Sequence, residues 1–499
     1  MNIINRFPII VSLILSSCTS YEHLSRSTAS KETPRVVVVG GGISGLSALH
    51  EFEKEGIDAT LYEMNPRIGG RIWSVDNIND TRLFTNIGAE LVDSTHTKML
   101  SLMDEFGVEK MERVVPEGYT ELSYISDGKP MTMDEAQKLI YAKNKNALMR
   151  FDQDMIRLRK SQKLGIVPNG AIRTVVEMEI DKMSIAEYLK KINANAFLTK
   201  WVRAAMGAEN GIPIEKQSAM VLFDYMQPDL ANEKLLFLPG NDEKYRIKGG
   251  SGKLTNAIYE RYKKSIELEK KLLSIESTDG KTFRLTFKGS AGIETIEADH
   301  VVLAVPFYQL KDVKINIPGM TSNHLNAISE TTYGRHTKFL MYFKERPWNK
   351  VKHYGTAISD MGYLLWDSSE GQSGTKGSLT AYFGGDMFDE KKEVLEKKIL
   401  AQIDSLFPGT SKEFIASEKF DWASSYSGPY KPGEYSKINL DLAPAGNLHF
   451  VGEHISEKHR GYMNGAAETG ENAAKKIVKI LSVVEQGNSC QAIFHSFFH

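Results

Sequence analysis

The sequence predicts an α/β fold, and three segments that follow one another near its start lead to this class. Residues 35–39 contain four successive valines, which is typical of a strand buried in a parallel sheet. A glycine-rich turn follows at residues 40–45, and the stretch 46–55 predicts a helix. A second strand is expected at residues 58–63. Strand, glycine turn, helix and strand in this order predict a Rossmann-type β-α-β unit.

Length and composition exclude several classes of protein. The chain has 499 residues, enough for two large domains or three ordinary ones. Its 62 Lys and Arg residues nearly balance its 63 Asp and Glu residues, and a net charge of −1 argues against a nucleic-acid-binding protein. With 41% hydrophobic and 25% charged residues, the chain is neither disordered nor a multi-span membrane protein. Two cysteines exclude a disulfide scaffold or a cysteine-rich metal site, and we predict no metal ligands.

The glycine turn has the spacing of a dinucleotide site, with Gly40, Gly42 and Gly45 in the G-x-G-x-x-G positions. The first glycine permits the tight turn, the second lets a diphosphate approach the backbone, and the third lets the helix pack on the strand. Ser44 lies in the same turn, where the helix N-terminus offers free N–H groups to phosphates. Glu63 ends the second strand and is placed to accept the ribose hydroxyls, while its charge disfavours a 2′-phosphate.

A glycine pair flanked by two arginines follows Glu63, with Arg67 and Arg71 on either side of Gly69 and Gly70. A nicotinamide site does not need this extension. It resembles the segment that follows the Rossmann unit in flavin-dependent amine oxidases, where it runs along the diphosphate toward the flavin. Four later segments match that family in the expected order, namely residues 248–254, 265–275, 301–306, and 448–454 with 461–466.

The resemblance implies a Rossmann-type FAD-binding domain interleaved with a smaller α+β substrate-binding domain. The FAD-binding domain would comprise residues 35–92, 240–308 and 427–484, and the substrate domain residues 93–239 and 309–426, which leaves 485–499 as a tail. Amphipathic stretches at residues 134–164, 184–206 and 391–406 predict helices of the substrate domain. The final helix of the FAD-binding domain is expected to end near residue 481.

The same resemblance implies which residues hold FAD. The strand near Leu272 would contact the adenine, the Gly452-Glu453 turn would meet the diphosphate, and the helix that begins at about Asn464 would point its N-terminus at the flavin ring. The full implied set is Gly40, Gly42, Ser44, Gly45, Glu63, Arg67, Gly70, Arg71, Leu272, Gly452, Glu453 and Met463.

The family's chemistry moves a hydride from an amine to flavin, and O2 then reoxidises the flavin to give H2O2 and an imine or aldehyde. Because the flavin itself accepts the hydride, the protein needs few acid–base groups. Matching positions imply that Tyr430 and Tyr462 form two aromatic walls beside the flavin and that Lys338 holds a water near it. Asp93 occupies the place of a polar substrate-facing residue, where a carboxylate would bind the distal ammonium of a diamine, and Glu90 competes for this role.

Two departures from the family pattern refine the prediction. Pro429 stands where monoamine oxidases attach the flavin through a cysteine, so FAD is expected to bind without a covalent link. Glu90 follows the Gly88-Ala89 pair in the region where L-amino-acid oxidases bind the substrate carboxylate through an arginine, and its charge would repel that group. Three alternatives stay open: an L-amino-acid oxidase that uses Arg335 or Arg346, a dehydrogenase or desaturase of apolar substrates, and a non-catalytic FAD-bearing surface protein.

The first 34 residues are expected to direct the chain to its location. Residues 1–18 combine an apolar run with a small-residue end, as a secretory signal peptide does. Their end resembles the lipobox of bacterial lipoproteins, which implies that Cys18 is lipidated and that Cys490 has no intramolecular partner. Residues 19–34 predict a flexible tether. Since no twin-arginine pair is present, we expect export of the unfolded chain, uptake of FAD outside the cytoplasm, and a lipid anchor on the extracytoplasmic side of a bacterial membrane.

Overall fold

The structure, a computed structural model, describes residues 34–164, 173–425, 430–435 and 442–496. The predicted signal peptide with Cys18, the predicted tether except for Pro34, and Pro429 lie outside the described residues. No helix in the described part of the chain is long and apolar enough to cross a lipid bilayer.

A five-stranded parallel sheet brings together three distant parts of the sequence. Its central strand, Val36–Val39, is fully buried and pairs with Ala59–Tyr62 on one side and His300–Leu303 on the other. Ile266–Glu267 and Leu448–Phe450 form the two edges. This parallel order confirms the Rossmann-type prediction. The predicted residue boundaries of the two domains stay a prediction.

Two helices cover one face of this sheet at very close range. Ile43–Lys54 follows the glycine turn and packs against the C-terminal helix Met463–Ser496. A Cβ atom added at Gly45 would lie 1.9 Å from the carbonyl oxygen of Gly40, and one added at Gly470 would lie 1.9 Å from that of Ser44. These glycines therefore permit the close packing of helix on turn and of helix on helix. The C-terminal helix continues to Ser496, beyond its predicted end near residue 481.

A seven-stranded sheet forms the second layer that positions the site. Its strand order is Phe414–Trp422, His336–Phe343, Gly377–Gly384, Tyr363–Asp367, His353–Ser359, Thr120–Ser126 and Lys129–Thr132, with one parallel pair between His353–Ser359 and Thr120–Ser126. On the fully buried strand His336–Phe343, Phe339 and Met341 share a hydrophobic core with the helix Lys392–Leu406. Because side chains alternate along a strand, His336 and Lys338 lie on the other face of the sheet.

A helical layer completes the substrate-binding half. Its helices, which share one hydrophobic core, are Met133–Leu164, Val175–Asp181, Ile185–Lys191, Ala196–Asn210 and Ala219–Tyr225. The stretch predicted as helical over residues 184–206 is two helices. The first begins at a capping box formed by Ser184 and Glu187, and the second begins at Asn195, whose side chain accepts the N–H of Leu198. Asn193, with a φ of 60°, interrupts the helix between them.

The remaining elements lie around these layers. The other described helices are Thr97–Glu105, Gly252–Tyr262, Phe307–Leu310, Ser322–Glu330 and Pro347–Lys350, with short 3₁₀ turns at Ile78–Asp80, Lys263–Ser265, Gly385–Met387, Thr410–Glu413 and Glu453–Ile455. The other described strands form a four-stranded sheet in the order Gly292–Ala298, Phe283–Gly289, Lys271–Glu276 and Lys314–Asn316, and the pairs Tyr245–Ile247 with Lys110–Glu112, Ser74–Asp76 with Phe84–Asn86, and Met226–Asp229 with Lys234–Phe237.

Candidate active site

A cavity of about 1010 Å³ connects the carboxyl ends of the parallel strands with one face of the seven-stranded sheet. At one end it is lined by the glycine turn and Glu63, and at the other by Lys338, Trp366 and Tyr462. Ligands of open α/β sheets bind outside the carboxyl ends of the strands. The cavity therefore continues from a dinucleotide-type site into a second compartment, which is the part lined by Lys338, Trp366 and Tyr462.

The glycine turn leaves space for a phosphate group. Gly40 adopts a φ of +109°, and a Cβ atom there would lie 2.5 Å from the carbonyl oxygen of Ala304. A Cβ atom at Gly42 would meet no atom within 4 Å, so the backbone at Gly42 faces open space. The hydroxyl of Ser44 and both ring nitrogens of His454 are buried and have no hydrogen-bond partner in the described part of the chain. These unsatisfied polar groups in the lining fit a phosphate-bearing cofactor.

Glu63 is fixed at the end of its strand by three donors. Its Oε2 accepts the N–H of Gly41 at 2.6 Å, and its Oε1 accepts the backbone and side-chain N–H groups of Asn65 at 2.9 and 2.6 Å. A carboxylate offers about four acceptor positions, so one is left for a hydroxyl group. The predicted contact of Glu63 with a ribose stays a prediction.

Arg71 and Glu453 join the two ends of the cofactor region. Nη1 of Arg71 donates to Oε1 of Glu453 at 2.7 Å and to the carbonyl oxygen of Ser425 at 2.5 Å. The neighbouring Arg67 stacks its guanidinium over the ring of Trp73, with 4.4 Å between them. Of the twelve residues predicted to hold the cofactor, all except Gly45 line the cavity. Gly45 instead permits the packing of the helix on the glycine turn.

Lys338 lies buried in the cavity wall and is held by two acceptors. Its Nζ donates to Oε2 of Glu90 at 2.7 Å and to the carbonyl oxygen of Asn86 at 3.0 Å, and it lies 5.3 Å from the ring centroid of Trp366. Burial lowers the pKa of the Lys338 amine, and the charge of Glu90 opposes that shift. Burial also acts to raise the pKa of Glu90, but Lys338 and Arg246 outweigh it and hold that pKa below its usual value.

Tyr462 lines the cavity, and its role as an aromatic wall beside the flavin stays a prediction. Its hydroxyl accepts a hydrogen bond from Nδ2 of Asn241, and its ring centroid lies 5.1 Å from that of His96. Burial raises the pKa of Tyr462 above its ordinary value, so the phenol is neutral at physiological pH. Tyr462 therefore presents a neutral aromatic side chain to the cavity.

The structure does not bring two of the predicted residues to the cavity, since the described lining includes neither Tyr430 nor Asp93. The hydroxyl of Tyr430 accepts a hydrogen bond from Arg460 at 2.7 Å, and its ring packs edge-on against Tyr435. The carboxylate of Asp93 accepts the N–H of Glu243 at 2.7 Å and lies 3.4 Å from Nε2 of His96. Glu90, the competitor named for the role of Asp93, does line the cavity.

Sequence reasoning missed an aromatic surface on the seven-stranded sheet. Lys338 pairs with Tyr382 across the strands, and the ring of Tyr382 stacks on His336 with 4.8 Å between centroids. Trp366 packs at 5.8 Å from Tyr382, and Trp422 also lines the cavity. The alternation on each strand carries part of this signal. The sequence alone does not predict which strands are neighbours, because strands that pair can be far apart along the chain.

The second compartment carries more carboxylates than cations. Its lining includes the carboxylates Glu90, Glu121, Glu209, Asp242 and Glu243, and the cations Arg113, Lys338 and Arg460. Arg335 and Arg346, the arginines named for an amino-acid substrate, do not belong to the described lining. Arg335 pairs with Asp389 at 2.7 Å, and Arg346 donates to the carbonyl oxygens of Gln372 and Lys376.

The glycine turn, the Arg71–Glu453 link and the Lys338 compartment place the chain within a known family. Residues 43–478 match the family model described as flavin containing amine oxidoreductase. The chain belongs to this family. It is an oxidoreductase that acts on amines with a flavin cofactor.

Individual relatives share most of the length of this family member. Flavin-containing amine oxidase B of Sus scrofa is 25% identical over 486 residues, which span 92% of this chain and 88% of the relative. Flavin-containing amine oxidase of Oncorhynchus mykiss is 24% identical, with 91% and 88% covered. Among solved structures, wild-type putrescine oxidase bound to putrescine superposes with a TM-score of 0.72 at 19% identity, with 89% of this chain and 99% of that one covered. Cyclohexylamine oxidase from Brevibacterium oxydans superposes with a TM-score of 0.73 at 19% identity, with 90% and 100% covered, and these two likenesses show the fold.

Proposed function

We propose that this protein is an FAD-dependent amine oxidase that binds FAD without a covalent link and uses O2 as its electron acceptor. One observation carries the proposal: a single cavity joins a dinucleotide cradle at the glycine turn to a compartment that contains a buried lysine among aromatic side chains. When bound there, FAD supplies the hydride acceptor and the route for electrons to O2.

The adenine-bearing cofactor is favoured over a smaller flavin by the cradle itself. Glu63 retains an acceptor position, and Ser44 and Gly42 leave room for a phosphate at the start of a helix. Leu272, the residue implied to meet the adenine, lies in the same lining. These residues would bind the nucleotide half of FAD, which a mononucleotide lacks.

The second compartment is suited to a cationic amine that must lose its proton before oxidation. The excess of carboxylates attracts the protonated amine to the cavity. Burial beside Trp366, Tyr382 and Tyr462 then disfavours the charged form and promotes the neutral amine that the reaction needs. The aromatic rings also exclude water and orient the apolar part of the substrate. Lys338 has one N–H direction left to hold a water molecule in the cavity.

Non-covalent binding follows from where the cysteines lie. Cys18 and Cys490, the two cysteines of the chain, stand near its ends, and neither belongs to the described lining of the cavity. Pro429 takes the place at which monoamine oxidases carry the flavin-linking cysteine. The described lining of the cavity thus contains no cysteine for a thioether link to the flavin, which supports non-covalent binding.

An amino-acid substrate is disfavoured because its carboxylate would face the excess of acidic side chains in the compartment. Arg113 lines the cavity, but it is already paired with Glu243 and Glu370. The fold-level neighbours act on a diamine and on a cycloalkyl amine by their names, and both classes belong in a substrate screen.

We also propose that the chain is exported and anchored by lipid at Cys18, on the extracytoplasmic side of a bacterial membrane. The sequence of residues 1–18 supports this, and the polar stretch after it would separate the folded part from the bilayer.

The proposed function is tested with the purified protein in two steps. Acid precipitation should release all of the yellow chromophore, and the released cofactor should be FAD by chromatography. Anaerobic mixing with alkylamines, diamines, polyamines or L-amino acids should bleach the flavin with at least one amine, and air should restore the colour with formation of H2O2. A flavin retained in the pellet would contradict the non-covalent link, and bleaching by amino acids alone would favour an L-amino-acid oxidase.

A further inference from the structure

The environment of Lys338 contains a charged partner whose function the reaction chemistry does not by itself explain. Glu90 lies 2.7 Å from the ammonium nitrogen, and both side chains are buried, with exposed fractions of 4% and 7%. The carbonyl oxygen of Asn86 takes a second N–H at 3.0 Å. An ammonium group has three donors, so these two contacts leave one for the cavity. The two acceptors therefore determine which direction the third donor takes.

Glu90 is itself held from behind by a buried arginine. Oε1 of Glu90 lies 3.3 Å from Nε of Arg246, whose side chain is 2% exposed. Nη1 of Arg246 donates to the carbonyl oxygen of Asp367 at 2.8 Å and lies 3.4 Å from Glu370. The carboxylate thus has one oxygen for each of two cations, and turning it toward a substrate would remove its contact with Lys338 or with Arg246.

We propose that Glu90 is a positioning residue for Lys338, which keeps the ammonium charged and aims its remaining N–H into the cavity beside the flavin. The proposal rests on the proposed function, because it gives Lys338 a purpose only where a flavin lies in that cavity. It also assigns Glu90 a different role from binding a distal substrate ammonium, since both of its oxygens are already paired with cations of the protein.

The charges around Lys338 set the direction of the expected effects. Glu90 favours the ammonium form, whereas burial and the charge of Arg246 favour the neutral amine. Tyr382 faces Lys338 from the neighbouring strand, and Trp366 packs near it, and both are uncharged. Removing the charge of Glu90 leaves burial and Arg246 unopposed, so Lys338 should lose its proton at a lower pH.

The test measures the protonation of Lys338 directly. The purified flavoprotein is labelled with a trace of acetic anhydride over a series of pH values, and the peptide that contains Lys338 is quantified by mass spectrometry. In Glu90→Gln, which keeps the shape and one acceptor oxygen, the midpoint of labelling should fall by about one to three pH units. Glu90→Asp retains the charge on a shorter side chain, so its midpoint should lie between those of Glu90→Gln and the wild type.

A matched control separates charge from general damage to the cavity. Glu243→Gln removes another carboxylate of the same lining, which pairs with Arg113 and not with Lys338. Its labelling midpoint at Lys338 should equal that of the wild type. An unchanged midpoint in both Glu90 variants, or an equal shift in Glu243→Gln, would overturn the proposal.

A second measurement connects the charge to the oxidation reaction. The rate at which O2 reoxidises the reduced flavin should show a pH dependence that moves in Glu90→Gln by the same amount and direction as the labelling midpoint. If no amine reduces the flavin of the wild type, the proposed function fails while the labelling result still decides the pairing. If the wild type is an oxidase but the labelling midpoint does not change in the Glu90 variants, the proposed role of Glu90 is wrong and the proposed function is unaffected.

Discussion

Arg71 and Glu453 form an ion pair of 2.7 Å although 382 residues separate them in the sequence. Arg71 belongs to the loop after the first β-α-β unit, and Glu453 follows the edge strand Leu448–Phe450. The second carboxylate oxygen of Glu453 accepts the N–H of Gly461 at 3.1 Å. The ion pair therefore connects the loop after the first β-α-β unit with the segment after the edge strand, across the cofactor region of the cavity.

Removing the arginine should destabilise the protein and release its flavin. Arg71→Ala removes the cation that lies 2.7 Å from the carboxylate of Glu453, which is 5% exposed. Breaking a buried ion pair in this way costs about 3–5 kcal/mol of unfolding free energy. Because the side chain of Arg71 is 26% exposed, we expect a loss at the lower end of this range. Chemical denaturation gives the change in the free energy of unfolding. Arg71→Lys keeps the charge and should lose less, so equal stability of all three proteins would contradict the prediction.

The first β-α-β unit could be predicted from sequence because its determinants are contiguous. Four valines, a glycine turn and Glu63 lie within one short stretch, and each acts on its immediate neighbours. The structure pairs Val36–Val39 with Ala59–Tyr62 in parallel and places Glu63 against the turn. Local order of this kind fixes both the elements and their relative position.

Two glycines of that turn should respond differently to the same substitution. A Cβ at Gly45 would lie 1.9 Å from the Gly40 carbonyl oxygen, so Gly45→Ala should cost about 1–3 kcal/mol or more in unfolding free energy. Gly42, with a φ of −73° and nothing within 4 Å of a Cβ, should tolerate alanine in the folded chain. Gly42→Ala should instead weaken flavin binding, because the methyl group enters the cradle.

Thermal melting and the ratio of visible to ultraviolet absorbance measure the two effects. The expected pattern is a lowered Tm for Gly45→Ala and a normal melt with low flavin content for Gly42→Ala, each compared in protein stripped of flavin as well as loaded. Gly42→Ala with full flavin content would show that the cofactor does not approach that glycine.

The second compartment could be predicted only in part, because side-chain direction there depends on distant pairing. Lys338 lies in the cavity wall on a strand whose alternation is local and can be read from its motif. Asp93 does not belong to the described lining of the cavity, and its carboxylate accepts the N–H of Glu243. Tyr430 turns to Arg460 and Tyr435. The positions of these two side chains could not be predicted from their motifs, because the residues that bind them come from other parts of the sequence.

Replacing Lys338 should affect reoxidation of the flavin more than its binding. Lys338→Met fills a similar volume without a donor, and Glu90 keeps Arg246 as its partner. We expect the rate with O2 to fall by about 100-fold, the order of magnitude of a lost proton-handling group. Stopped-flow mixing of reduced enzyme with O2 measures this step apart from reduction by amine. Unchanged reoxidation would remove Lys338 from the reaction.

Replacing Cys18 should move the protein between cell fractions. If Cys18 carries the lipid, Cys18→Ser removes the attachment and leaves the rest of the sequence intact. The variant should appear in the soluble extracytoplasmic fraction, whereas the wild type should pellet with membranes and partition into detergent. Cys490→Ser, which removes the other cysteine, should behave as the wild type does. Cys18→Ser that still pellets with membranes would contradict the lipid anchor.

Acid should destabilise the protein through buried neutral histidines, of which His353 has the clearest geometry. Nδ1 of His353 accepts the N–H of Gly355 at 2.9 Å, so Nε2 carries the hydrogen and donates to the hydroxyl of Ser123 at 2.8 Å. Burial lowers the pKa of His353 to about 4. Between about pH 6.5, its value in an unfolded chain, and pH 4, only the unfolded state takes up the proton. Stability is therefore lost as the pH falls through this window, by about 3 kcal/mol at most for one histidine.

His353→Gln should flatten this pH dependence, because glutamine can accept the N–H of Gly355 and does not titrate. Between pH 7.5 and pH 4.5, the Tm of the variant should fall less steeply than that of the wild type. The two slopes should differ by the contribution of one proton bound on unfolding. His336, His449 and His454, whose pKa values burial also lowers to about 4, maintain the rest of the slope. Ser123→Ala is the control: it removes a hydrogen bond and lowers Tm at every pH, but it keeps the imidazole and therefore the wild-type slope. A His353→Gln slope as steep as that of Ser123→Ala would show that His353 takes up its proton equally in the folded and unfolded states.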